Sequence, residues 1–179
     1  MAIFCNSGLL IFGTADREAA FHELQLREGS DLDHVVVGPG GLYCISTKGY
    51  RGLLSLDSHG ELLYNNAPSK LLQATLAQAM ELKDRLQGVM GLGLPYVNAV
   101  LAVPFAFVAF SGSQHSVLVL HQDDLVRTLE KLPRRLKKAD IERCVIALKM
   151  LYEHGKTIHR RSEDAVAVVP AAGPVDGPG

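Results

Sequence analysis

Hydrophobic and polar residues follow two different periods along this chain, and the two periods predict a mixture of strands and helices. Short runs rich in valine and leucine, bounded by glycine, proline or serine, are typical of strands. Longer segments with apolar residues three and four positions apart are typical of amphipathic helices. These patterns predict strands at 32–37, 42–47, 53–56, 61–64, 97–103 and 117–120, and helices at 16–26, 69–87, 123–132 and 140–154.

The order of these elements predicts an α/β domain with a mixed sheet flanked by helices. The first four strands are separated by short turns such as 38–41, so we expect antiparallel hairpins. The apolar run at 97–103 has the composition of a buried strand. The longest helix is expected to pack on the sheet through one apolar stripe, which includes Leu72, Leu76, Met80 and Leu86.

Length and local composition predict one folded unit with a short tail. A chain of 179 residues can bury one substantial core, and it is too short for two ordinary domains. From Arg161 onward the sequence consists mainly of alanine, valine, proline and glycine, which provide little to pack. We therefore expect an α/β domain over 1–160 and a flexible tail over 161–179.

Composition and charge narrow the classes of partner. Hydrophobic residues make up 47% and charged residues 21%, which is typical of a globular domain. The net charge of −1 provides no overall attraction to nucleic acid, so nucleic-acid binding would need a local basic patch. The basic residues at 134–138 are one candidate, although such a run is more often a solvated helix boundary.

The cysteines and the apolar segments predict a cytoplasmic protein without a membrane span. Three widely spaced cysteines, Cys5, Cys44 and Cys144, fit neither a disulfide framework nor a zinc module. The most apolar run, at 97–110, contains Pro104 and is shorter than the roughly 20 residues that a spanning helix needs. No basic residue precedes the apolar N-terminal stretch, so we do not expect a signal peptide.

The segment from Asp31 to Gly52 is the most informative about function. It reads DLDHVVVGPGGLYCISTKGYRG: an acid at the start of a strand, a glycine turn, and a returning strand that ends in a lysine. Residues two apart in a strand face the same side, so Ser46 and Lys48 are expected to point together. The glycine turn returns the second strand beside Asp33, within about 5 Å.

This segment resembles the nuclease-related domain family, a branch of the restriction-endonuclease-like PD-(D/E)XK fold. The resemblance lies in the acidic start, the valines, the Gly-Pro-x-Gly turn, the aromatic residue and the lysine, and it extends more loosely from Gly13 to His154. It implies a single restriction-endonuclease-like domain and metal-assisted hydrolysis of a phosphodiester in DNA or another nucleic acid. Mg²⁺ is the metal that it implies.

The resemblance also implies roles for individual residues. Asp33 matches the metal-binding aspartate and Lys48 the catalytic lysine of the family. Glu18 matches an acid of its first helix, and Gln73 a polar residue on the helix that covers the site. Ser46 stands where the family has a glutamate, and a hydroxyl is a poor substitute for a carboxylate toward a hard cation.

Structural roles compete with these assignments. Asp33 can simply open a strand, Lys48 can be a solvent-facing strand end, Gln73 can be a helix-surface amide, and Cys44 is most simply a small buried apolar residue. Two hypotheses follow. The first is a nuclease-related protein with weakened or lost catalysis and weak Mg²⁺ binding, or none. The second is a non-catalytic module that binds DNA or a protein partner. A neighbouring acid such as Glu18 or Glu61 in the missing position would favour the first hypothesis.

Overall fold

The structure, a computed structural model, describes residues 9–12, 18–27, 30–91, 93–110 and 112–166. These residues form two β-sheets and three α-helices. The strands are β1 (Leu9–Phe12), β2 (Glu18–Arg27), β3 (Ser30–Gly38), β4 (Gly41–Thr47), β5 (Arg51–Leu56), β6 (Leu62–Tyr64), β7 (Ala67–Pro68), β8 (Val97–Val103), β9 (Phe105–Val108), β10 (Ser113–Gln114) and β11 (Val117–His121). The helices are α1 (Leu71–Met90), α2 (Gln122–Lys131) and α3 (Lys138–Val166).

The larger sheet combines antiparallel and parallel strands. Its strand order is β1-β2-β3-β4-β8-β11-β10. Strands β1 to β4 form antiparallel neighbours, whereas β8 pairs in parallel with both β4 and β11. The predicted α/β class with a mixed sheet is therefore confirmed.

The connection between the parallel strands β4 and β8 consists of strands β5 to β7 followed by helix α1, because parallel neighbours need a crossover rather than a tight turn. The helix runs back across the sheet between the end of β4 and the start of β8. Its first turns therefore lie over the carboxyl ends of these two strands. This placement brings the start of α1 to the end of the sheet that carries Ser46.

The buried stripe of α1 differs in part from the predicted one. Leu72 and Leu86 are buried and Leu76 is half-buried, but Met80 is 58% exposed, so its assignment to the core was wrong. The buried positions follow one another at steps of three and four, namely Leu72, Thr75, Ala79, Leu82 and Leu86. Steps of four alone, as in 72, 76 and 80, rotate by about 40° each time and leave the buried face.

Different helices pack on the two faces of the larger sheet. Helices α1 and α3 pack on one face, where Cys44 and Leu101 belong to the main core. Helix α2 contributes Leu125 to a smaller core on the opposite face, together with Tyr43 and Ile45. Successive residues of β4 thus alternate between the two faces, and Ser46 follows Cys44 on the side of α1.

The smaller sheet has the order β7-β6-β5-β9 and extends from the ends of two strands of the larger one. The chain passes from β4 into β5 and from β8 into β9, and β5 pairs in parallel with β9. The antiparallel hairpins that the sequence predicts are therefore divided between two sheets. The free edge of β4 that β5 would need is already occupied by β8.

The predicted first helix, at 16–26, was wrong, because Glu18–Arg27 forms strand β2. This segment contains alanine and leucine at near-helical spacing, which favours a helix by local propensity alone. In the fold it pairs with β1 on one side and β3 on the other, and Phe21 and Leu24 are fully buried. Pairing along both edges outweighs the local propensity.

The closing helix is confirmed, and it is longer than predicted. Helix α3 buries Ile141, Cys144 and Leu148 as expected, and its backbone continues to Val166. Residues 167–179 lie outside the described residues, and the domain boundary at 161 stays a prediction. Among the helices that the structure describes, none is long and apolar enough to cross a membrane.

Candidate active site

The β3–β4 hairpin positions the candidate site at its open end. Its register pairs Gly38 with Gly41 beside the turn and His34 with Ile45 further along. One step beyond the last pair, this register sets Asp33 opposite Ser46. Gly41 has a φ of 151°, a conformation that L side chains rarely adopt, so glycine at this position lets the hairpin close.

Asp33 is the centre of a small polar cluster. Its Oδ2 accepts a hydrogen bond of 2.7 Å from the backbone N–H of Thr47 and a longer one of 3.4 Å from Oγ of Ser46. Nζ of Lys48 lies 3.7 Å from the same oxygen. The structure thus brings Asp33, Ser46 and Lys48 together, and their catalytic roles stay a prediction.

Solvent reaches the two charged members of this cluster. The side chains of Asp33 and Lys48 are 34% and 33% exposed, whereas Ser46 is only 1% exposed. The backbone N–H of Lys48 donates to the carbonyl of Ala102, which attaches this residue to the end of β8. The ion pair therefore lies at the surface, with the serine hydroxyl beneath it.

Cys44 lies under the cluster and is not suited to nucleophilic chemistry. Burial, and secondarily the negative charge of Asp33, raise the pKa of the Cys44 thiol to about 12. A thiol with this pKa remains protonated at neutral pH, and only the thiolate is a good nucleophile. Cys44 therefore serves as a small buried side chain, as the sequence suggests.

The side chains present do not fit the divalent metal that the sequence resemblance implies. Sites for Mg²⁺ are built from carboxylates and other oxygen ligands. Here one carboxylate, Asp33, faces a hydroxyl and an ammonium group, and the ammonium of Lys48 offsets its charge. Within the part of the chain that is described, no group of three His, Cys, Asp or Glu side chains is arranged to hold a metal ion.

Among the described side chains that the sequence suggested, neither Glu61 nor Gln73 supplies a second carboxylate to this cluster. Oε1 of Glu61, just before β6, lies 3.5 Å from Nε2 of His115 in the turn between β10 and β11, which is a separate contact. Gln73 is exposed in the first turn of α1, as a helix-surface amide would be. The backbone of Glu18 is in strand β2 rather than in a first helix, and its side chain lies outside the described residues.

The basic run at 134–138 lies at the wrong end of the hairpin to serve this site. The backbone N–H groups of Arg135 and Leu136 both donate to the carbonyl of Pro39, in the β3–β4 turn. Asp33 is at the opposite, open end, six residues along β3. At about 3.3 Å per residue, this separation is about 20 Å. The run therefore does not line the cluster around Asp33.

The sequence did not predict two features of the structure. Thr75 is buried in the second turn of α1, and its Oγ1 has no hydrogen-bond partner among the described residues. Its spacing of three from Leu72 was the available signal. Strand β9 was missed because the predicted strand ends at 103, before Pro104, although the Phe-Ala-Phe-Val segment that follows is exposed and buried in alternation as a strand is.

Comparison with known proteins identifies the family. The nuclease-related domain family model matches residues 10–106, more than half of the chain. This match contains the hairpin with Asp33, Ser46 and Lys48, strands β5 to β7 of the smaller sheet, and helix α1. No curated protein and no solved structure matched the chain. On the evidence of its sequence, this chain belongs to the nuclease-related domain family.

Proposed function

We propose that this chain is a nucleic-acid-binding member of the nuclease-related domain family in which metal-dependent phosphodiester hydrolysis is weak or absent. One observation carries the proposal. The Oδ2 atom of Asp33 is already surrounded by donors of the protein itself, namely the N–H of Thr47, the hydroxyl of Ser46 and the ammonium of Lys48.

Electrostatics explain why this arrangement disfavours a metal. A divalent cation beside Asp33 would meet the positive charge of Lys48 at close range and only one compensating carboxylate. In the family pattern a glutamate at position 46 would add a second negative charge. Ser46 adds none, and its buried hydroxyl is a weak ligand for a hard cation.

Hydrolysis and binding can be tested separately. The full chain would be incubated with single-stranded and duplex DNA in the presence of Mg²⁺ or Mn²⁺, beside Asp33→Asn and Lys48→Ala variants. Binding would be followed by fluorescence anisotropy and cleavage by gel electrophoresis. We expect salt-dependent binding, since phosphate contacts release counterions. Any cleavage should be weak and equal in all three proteins.

Two results would count against the proposal in different ways. Robust metal-dependent cleavage by the unmodified chain, lost in Asp33→Asn, would mean that another group supplies the missing charge. Binding to neither form of DNA would remove the nucleic-acid part of the proposal. The Asn variant is the matched control, because it keeps the shape of the side chain and changes its charge.

The second candidate function is a regulatory module that keeps the fold as a scaffold and binds DNA or a protein partner without any hydrolysis. The observation that favours it is the mutual satisfaction of Asp33, Ser46 and Lys48, because polar groups that satisfy one another can serve structure alone. A glutamate introduced at position 46 would then create no metal affinity, whereas it should do so if only this one ligand has been lost.

A further inference from the structure

One face of the smaller sheet lies outside the hydrophobic core. It is formed by Arg51, Leu53, Phe105 and Phe107. We call it the aromatic face. The parallel register of β5 and β9 pairs Arg51 with Phe105 and Leu53 with Phe107. Paired residues lie side by side on one surface of a sheet, and residues two apart share that surface.

Both phenylalanine rings of the aromatic face are largely open to solvent. Phe105 is 59% and Phe107 is 71% exposed, although the intervening Ala106 is buried in the main core. Large apolar side chains are usually buried in a protein. Two exposed phenylalanine rings on one short strand form an apolar patch of the kind that marks an interaction site. They also border an open groove of about 550 Å³ that reaches Leu120 and His121.

A cation is built into the aromatic face. The guanidinium carbon of Arg51 lies 5.0 Å from the ring centroid of Phe105, which is cation–π geometry. Arg51 is itself exposed, and no carboxylate among the described residues pairs with it. Its charge is therefore available to an anionic ligand that also has flat apolar groups.

We infer that the aromatic face binds single-stranded nucleic acid, with unpaired bases stacked on Phe105 and Phe107 and a phosphate close to Arg51. This inference rests on the proposed function and names the form of nucleic acid that the chain takes. Base–aromatic stacking beside positive charge is the general means by which proteins hold single strands. An apolar peptide would use the rings but leave the charge of Arg51 uncompensated, whereas every nucleotide of a bound strand brings a phosphate.

The spacing of the rings favours single strands over duplexes. Phe105 and Phe107 are two residues apart on one strand, or about 6.6 Å. Bases in a duplex are stacked about 3.4 Å apart along each strand, so their faces are covered by neighbouring bases. Unpaired bases can separate and expose their faces to aromatic side chains.

The aromatic face is continuous with the candidate site. Arg51, the first residue of β5, follows Lys48 by three residues in the chain, and Phe105, the first residue of β9, follows Ala102 by three. The backbone N–H of Lys48 donates to the carbonyl of Ala102. The smaller sheet thus begins where the Asp33 cluster ends. A strand bound across the face would have its backbone close to the end of β4.

The test measures the affinity of the full chain for a labelled oligothymidine and for a duplex of equal length by fluorescence anisotropy. The variants are Phe105→Ala, Phe107→Ala, the double alanine variant, and Arg51→Ala. Tyr96→Ala is the matched control, because Tyr96 is an aromatic residue that is 64% exposed at the other end of β8. Circular dichroism melts establish that each variant is folded.

We expect each phenylalanine change to weaken single-strand binding on the order of tenfold, with a much smaller effect on the duplex. Arg51→Ala should reduce the magnitude of the slope of log affinity against log salt concentration by about one, which corresponds to the loss of one phosphate contact. Tyr96→Ala should bind as the unmodified chain does. A double variant that binds oligothymidine as tightly as the Tyr96→Ala control would overturn the inference and leave the proposed function intact.

Two further outcomes would also overturn the inference. If the unmodified chain bound neither oligothymidine nor the duplex, both this inference and the proposed function would be refuted. Concentration-dependent self-association in sedimentation, lost in the double variant and unaffected by oligothymidine, would show that a second copy of the chain covers the aromatic face instead.

Discussion

The carboxylate of Asp33 accepts a 2.7 Å hydrogen bond from the backbone N–H of Thr47, the residue between Ser46 and Lys48. This contact fixes the end of β4 against the start of β3, where the regular pairing of the two strands has stopped. Asp33 therefore has a structural role, because it closes the open end of the hairpin.

Stability measurements can separate the contacts of Asp33. Asp33→Ala leaves the Thr47 N–H without this charged acceptor, so we expect a loss of about 1–3 kcal/mol in the free energy of unfolding. Lys48→Ala removes only a partly exposed ion pair, which is worth about 0–1 kcal/mol. Urea titrations of both variants, with Asp33→Asn as the isosteric control, measure the difference. Equal losses for Asp33→Ala and Lys48→Ala would contradict this ranking.

Helix α1 offers a matched pair of apolar truncations. Leu82 is fully buried between the helix and the sheet, so Leu82→Ala should cost about 2–5 kcal/mol of unfolding free energy. Met80 is 58% exposed in the same helix, and Met80→Ala should change stability by less than about 0.5 kcal/mol. Denaturant melts would read both values. The reverse order would mean that the predicted stripe through Met80 faces the core.

Replacement of glycine by alanine should have opposite effects on stability at two positions. Gly41 has a φ of 151°, and an added Cβ would meet Nδ2 of Asn98 at 3.1 Å. Gly41→Ala should therefore destabilise the hairpin by more than about 1 kcal/mol. Gly88 lies in α1 with open space around it, so Gly88→Ala should raise stability by about 0.5–1 kcal/mol through helix propensity. Thermal melts of the two variants should shift in opposite directions, and parallel shifts would refute the assignment.

The buried thiols predict a dependence of stability on pH. Burial raises the pKa of Cys44 to about 12 and that of Cys144 to about 11, from an ordinary value of 9.0. The unfolded chain loses these protons first as pH rises, so the stabilisation is complete below about pH 9 and is lost toward the higher folded-state values. Unfolding free energies measured from pH 8 to 11 should fall, and less steeply in a Cys44→Ala variant.

The same thiols should resist labelling in the folded protein. In a Cys5→Ser background, which leaves only Cys44 and Cys144, a chromogenic disulfide reagent at pH 8 should react slowly in buffer and with both thiols in denaturant. Rapid reaction of one equivalent in buffer would show that one of these cysteines is accessible.

The candidate site could be predicted from the sequence because it depends on local geometry. A glycine turn and a period of two are enough to bring Asp33, Ser46 and Lys48 together. The helix predicted at 16–26 failed because the state of that segment depends on pairing with β1 and β3, which local spacing does not encode. The sequence did not predict strand β9 and its exposed rings, because a proline commonly ends a strand, whereas here the chain continues past Pro104 into a second sheet.

The central claim is that Ser46 is the substitution that removes metal binding from this site. Its most direct test is titration calorimetry with Mn²⁺ on the unmodified chain, on Ser46→Glu and on Ser46→Gln, which adds similar bulk without the charge. We expect negligible binding by the unmodified chain and by Ser46→Gln, and measurable binding by Ser46→Glu that is lost when Asp33 is also changed to Asn. Tight, Asp33-dependent binding of Mn²⁺ by the unmodified chain would contradict the claim.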